Sequence, residues 1–195
     1  SQLFDPITFN ECMNIAKDLV VPKMLFSEFW YEGEVSILFA DTNLGKSILA
    51  VQIGDSISSG RPIDGFKMEA EKQRVLYFDF ELSLKQLEAR YSQSYTNHYH
   101  FDDEFIRVTL LSDLAFPENT DFENYLCQEL ESLSTEMKAK VLIIDNLTYL
   151  KNETERAKDA LPLMKRLKNM ANRHGLSILV IAHTPKRDAA RPLSN

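Results

Sequence analysis

The stretch Ala40-Asp41-Thr42-Asn43-Leu44-Gly45-Lys46-Ser47 constrains the fold more than any other, because of what flanks it. Before it, Val35, Ser36, Ile37, Leu38 and Phe39 form a short run rich in β-branched and aromatic residues, the composition of a strand. After it, Ile48, Leu49, Ile53 and Ile57 are expected on one side of a helix over 45–59, closed by Gly60. A strand that turns into a helix through A-x-x-x-x-G-K-S aims backbone N–H groups and a helix N-terminus at one point. A lysine there adds positive charge, and together these make a phosphate cradle, or P-loop. Thr42, Asn43, Leu44, Gly45, Lys46 and Ser47 are the expected nucleotide-binding residues, with Lys46 on the β- and γ-phosphates and Ser47 as a Mg2+ ligand. The first position of the motif is normally glycine and here is Ala40, where a positive φ would be costly.

The remaining chain repeats this texture of short apolar runs alternating with longer amphipathic segments. Strands are expected over 74–79, 105–110, 141–145 and 177–182, and helices over 83–91, 122–133 and 159–173. The run 105–110 is the weakest strand because Arg107 and Thr109 mix its pattern. In the last helix Leu163, Met164, Leu167, Met170 and Ala171 share one face, and Lys165, Arg166, Lys168 and Asn169 the other. Near the start, Thr8 and Glu11 have capping-box spacing, so a helix is expected over 9–19, stopped by Pro22. The segment 24–34 has no clear pattern, and its cluster of Phe26, Phe29, Trp30 and Tyr31 is expected to cover one edge of a core. Polar loops are expected over 94–103 and 150–156. Apolar strands alternating with helices imply an α/β fold whose mainly parallel sheet is sandwiched between helices.

The length of 195 residues suits one domain. It is divided into an N-terminal helix and lead-in (1–33), a nucleotide-binding core (34–186) and a tail (187–195) expected to be truncated. A net charge of −7 argues against a surface that coats nucleic acid by charge alone. No apolar run is long enough to cross a bilayer and no signal-peptide pattern opens the chain, which points to the cytoplasm. Cys12 and Cys127 lie far apart, as expected of two buried thiols in a reducing compartment.

Beyond the cradle, four positions carry chemistry. Asp145 ends the apolar run 141–144, where a carboxylate can hold Mg2+ beside the Ser47 hydroxyl; a turn cap is the plainer role. Asp79 and Glu81 follow the strand over 74–79 on one side of it. Glu81, nearer the open end, is the expected base for an attacking water, with Asp79 orienting it or capping the next helix. His183 ends the last strand, where a side chain can respond to a γ-phosphate, although a lone histidine is more often structural. His98 and His100 sit in a polar loop without metal-site spacing, and His174 ends a helix where a cation suits the dipole. Lys186, Arg187 and Arg191 make a basic tail, either a solvated end or a group reaching a neighbouring nucleotide or DNA.

With Ala40 to Ser47, Tyr77-Phe78-Asp79-Phe80-Glu81, Val141 to Asn146 and Ile181-Ala182-His183-Thr184-Pro185-Lys186 in this order, the sequence resembles the RecA-like P-loop ATPases. It is most similar to the branch of hexameric replicative helicases typified by plasmid RepA proteins and the ATPases of mobilisable elements. That resemblance implies a strand order in which the His183 strand lies beside the P-loop strand, followed by the Asp145 strand and then the Glu81 strand. It implies catalytic roles for Glu81, Lys46 and His183, with Mg2+ held by Ser47 and Asp145. It also implies a homo-oligomeric ring, hexameric in that branch, with an arginine finger from the neighbour and single-stranded DNA as a partner. The expected activity is hydrolysis of ATP to ADP and phosphate in DNA replication or plasmid mobilisation. Two alternatives stand beside it: an ATP-binding switch with little turnover, and a small-molecule P-loop kinase, for which no arginine-rich lid is visible between Asp145 and His183.

Overall fold

A computed structural model describes residues 6–41, 44–110, 121–146 and 160–183, apart from the side chains of Phe122, Ala160, Leu161 and His183. The chain opens with helix α1 (Phe9–Ala16), started by the Thr8–Glu11 capping box. This helix is shorter than the expected 9–19, and none of its residues is buried. Its apolar side chains cover no described part of the core, and Phe9 is 88% exposed. The segment without a clear pattern is a small antiparallel hairpin, β1 (Met24–Phe26) and β2 (Trp30–Tyr31). Leu25, Phe26 and Trp30 are buried there, and the Trp30 indole donates to the Glu34 carbonyl at 3.1 Å.

The remaining elements follow the expected alternation: β3 (Val35–Ala40), α2 (Lys46–Ser59), β4 (Val75–Asp79), α3 (Leu84–Arg90), a short hairpin of β5 (Ser92–Gln93) and β6 (Asn97–His98), β7 (Phe105–Val108), α4 (Phe122–Met137), β8 (Val141–Asp145), α5 (Ala160–His174) and β9 (Ser177–His183). The hairpin β5–β6 starts two residues before the expected polar loop over 94–103 and runs into it, and Phe101 of that loop packs on Phe105 and Tyr91. The expected loop over 150–156 and the tail from Pro185 onward lie outside the described residues.

Five strands form one parallel sheet in the order β3-β9-β8-β4-β7. The strand order implied by the resemblance is therefore the observed one, and the fold is the expected α/β sheet between helices. Side-chain alternation sends Val75, Tyr77, Val141, Ile143, Leu179 and Ile181 to the face covered by α2 and the β1–β2 hairpin. Leu76, Phe78, Leu142, Ile144, Ile178 and Val180 meet α4 and α5 on the other face. The strands β4 and β8 are buried on both faces, which explains their nearly continuous apolar runs. Each fully buried Leu or Ile contributes about 2 kcal/mol relative to exposure.

On α2 the buried face differs from the expected one. Ile48 is exposed, while Ala50, Val51, Ile53, Gly54 and Ile57 face the sheet. Gly54 permits the close approach, since a Cβ there would stand 2.4 Å from the Phe105 ring. The face of α5 is as expected, with Leu163, Leu167, Met170 and Ala171 buried. Cys12 and Cys127, expected to be buried, are both half-buried.

Candidate nucleotide site

Parallel strands bring their C-terminal ends to one edge, and helices that follow point their N-termini there. The register places Ala40 opposite His183 and Asp79 opposite Asp145, so β3, β9, β8 and β4 end together. That edge is the candidate site.

Gly45 caps α2 at φ +79°, a left-handed conformation that glycine adopts without penalty, and the helix starts at Lys46. Ala40 needs no such conformation. It ends β3 in extended backbone, so the departure from glycine carries no backbone strain. Lys46 is 6% exposed, and its ammonium donates to the carbonyls of Ala40 and Asp41, both at 2.6 Å, which folds its stem across the loop. Leu44 is exposed beside it and Ser47 is half-buried in the first turn of α2. Thr42 and Asn43 lie outside the described residues.

Asp145 is 3% exposed at the end of β8. Its Oδ2 accepts a hydrogen bond of 2.5 Å from the Tyr77 hydroxyl, while its Oδ1, also buried, accepts none among the described residues. Burial foremost, with the Asp145 carboxylate second, pushes the Tyr77 hydroxyl far above the usual phenol range, so it stays a donor. A buried carboxylate oxygen without a donor is the chemistry a hard cation requires. The Asp145 carboxylate therefore fits a hard cation such as Mg2+.

The residue opposite Asp145 is Asp79, not Glu81, which lies two residues farther along. Asp79 Oδ1 accepts from the N–H groups of Glu81 and Leu82, each at 3.0 Å, and its Oδ2 accepts from Arg107 Nε at 2.9 Å. An Arg107 terminal nitrogen also donates to the Leu82 carbonyl. Asp79 thus holds the turn that carries Glu81. The helix cap is Ser83, in a capping box with Gln86, so the capping role considered for Asp79 falls to another residue. Glu81 itself is exposed. His183 is placed only through its backbone, opposite Ala40, and Lys186, Arg187 and Arg191 lie outside the described residues.

A family model described as "AAA domain" matches residues 13–189. The chain belongs to that family. It is an AAA-type ATPase domain whose parallel sheet has the RecA-like fold, and ATP is its expected ligand. Among solved structures, this AAA domain is similar to a KaiC-like protein of the hyperthermophilic archaeon Pyrococcus horikoshii OT3. The two share 15% identity with a TM-score of 0.55, over 83% of this chain and 67% of that one, a likeness of fold. No curated protein sequence matches the chain. None of the described helices of the AAA domain is long and apolar enough to cross a membrane.

Sequence reasoning missed two residues of this site. Tyr77 precedes Asp79 by two positions on the same strand face, so alternation could have brought it in. Arg107 is the charge that made its strand look mixed. The hairpin over 92–98 also gives His98 a carboxylate partner, Glu88 at 3.0 Å, that sequence spacing did not suggest. His174 ends α5 with its ring 3.0 Å from Glu131.

Proposed function

We propose that this domain hydrolyses ATP at the edge shared by β3, β9, β8 and β4, and that it does so in a ring of identical subunits acting on single-stranded DNA in replication or plasmid mobilisation. The observation that carries the reading is the arrival of the Lys46 loop, Asp145 with its free buried oxygen, and the Asp79–Glu81 turn at one edge.

In this reading the loop amides and Lys46 bind the phosphate chain and stabilise the charge that develops on it. Ser47 and Asp145 would hold Mg2+, whose chemistry there is to neutralise phosphate charge. Glu81 takes a proton from the attacking water as the new oxygen–phosphorus bond forms. The bond from the γ-phosphorus to its bridging oxygen breaks and ADP leaves with that electron pair. His183 follows the γ-phosphate and passes its loss to the segment beyond β9. The replication role is supported by the four-part resemblance to the RepA branch.

The test is phosphate release from the full chain with and without single-stranded DNA. Turnover that rises with DNA and with protein concentration is expected. Tight ATP binding without release at any protein concentration would favour a switch, and phosphate appearing on an organic acceptor would favour a kinase.

A further inference from the structure

We propose that Arg107 is a positioning residue for hydrolysis: it fixes the turn that presents Glu81 to the water. The inference rests on the assignment of Glu81 as the base.

Arg107 stands on β7, the strand at one edge of the sheet, in register with Tyr77. Asp79 lies two residues farther along β4, on the same strand face as Tyr77, so a long side chain from Arg107 reaches it by leaning toward the C-terminal edge. The guanidinium then grips the 79–82 turn at both ends, with Nε on the Asp79 carboxylate at 2.9 Å and a terminal nitrogen on the Leu82 carbonyl. Asp79 completes the loop by accepting the Glu81 and Leu82 N–H groups. Every one of these bonds lands within two residues of Glu81.

The arrangement is more than the burial of Asp79 requires. The Asp79 side chain is 2% exposed, and a single ion pair would compensate its charge. A lysine could supply that pair. The second bond, to a backbone carbonyl one residue beyond Glu81, uses the planar fork that only arginine carries, and it fixes orientation and not merely charge. Glu81 is exposed, so its carboxylate is positioned through its own backbone. A catalytic base held this way loses reach when the turn relaxes, while the phosphate loop after β3, separated from β4 by β9 and β8, is untouched.

The experiment compares Arg107→Gln, Arg107→Lys and Glu81→Gln in the full chain, measuring kcat, KM for ATP, binding of a non-hydrolysable ATP analogue and thermal melting. Arg107→Gln is expected to lower kcat about 10- to 100-fold with KM and analogue binding unchanged. Arg107→Lys keeps the ion pair and loses the Leu82 bond, so it should melt near wild type and give an intermediate kcat. If Arg107→Gln fails to fold, Arg107→Lys alone decides. Wild-type kcat in a folded Arg107 variant, beside an inactive Glu81→Gln, overturns the proposal. So does a loss of kcat, KM and melting temperature together in both Arg107 variants, which would mark a merely structural ion pair. Turnover retained by Glu81→Gln would instead remove the base assignment beneath it, whatever the Arg107 variants do.

Discussion

Replacing Tyr77 by Phe deletes one oxygen and almost no volume, which isolates the Tyr77–Asp145 hydrogen bond. Both residues are nearly inaccessible, at 5% and 3%, and the bond measures 2.5 Å. A hydrogen bond to a charged acceptor contributes about 1.5–3 kcal/mol, and no cavity adds to its loss. Both Asp145 oxygens would then be buried without a donor among the described residues. Tyr77→Phe should therefore be about 2 kcal/mol less stable near neutral pH. The raised Tyr77 pKa adds a sign that can be checked. A folded pKa above the unfolded value of about 10 means the folded state keeps its proton after the unfolded state has lost it. The stability it gives is complete below pH ~10 and is lost as pH rises beyond that, by about 1.4 kcal/mol at pH 11. The variant has no such proton, so the gap between the two proteins should shrink by about that amount between pH 9 and 11. Urea melts of both proteins at pH 7, 9 and 11 measure it, and the other tyrosines cancel in the difference. Equal stability at pH 7, or a gap that does not move with pH, would refute the reasoning.

Gly54→Ala should destabilise despite the better helix former. Its Cβ would meet the Phe105 ring at 2.4 Å, and overpacking of about 1–3 kcal/mol outweighs a propensity gain of about 1. A raised urea midpoint would contradict that packing. Asp145→Asn should keep ATP binding measured without Mg2+ and lose most of the Mg2+ stimulation of turnover, read by titrating Mg2+ in a phosphate-release assay. Unchanged stimulation would remove Asp145 from the metal site. Lys46→Ala should abolish ATP binding in a calorimetric titration, because the buried ammonium is the cation of the loop. Near-normal affinity would place the phosphates elsewhere.

The strands of the five-stranded sheet could be read as short apolar runs and most helices by their spacing, and the capping box at Thr8 marks one start by residue type alone, whereas the cap at Ser83 is seen only in the structure. Three features could not be read locally. The β1–β2 hairpin has no alternation, since Trp30 is buried by a sheet far along the chain. The outer face of α2 was misjudged at Ile48 because helical spacing does not say how wide the covered stripe is, and Gly54 widens it by letting the sheet come close. At α1, capping residues start a helix correctly while nothing in them says whether its apolar side finds a partner. In the site, the cross-strand partner of Asp145 is fixed by strand register, which puts Asp79 there and Glu81 beyond it. Arg107 broke its strand pattern for a reason that only the cross-strand contact reveals. Positions that violate local pattern are where function is expected.

The most direct measurement is a Glu81→Gln chain assayed for ATP affinity and single-turnover phosphate release under the same Mg2+ conditions. Unchanged ATP affinity with phosphate release slowed about 100-fold or more is expected if this edge is the hydrolytic site and Glu81 its base. Phosphate release at the wild-type rate would contradict it.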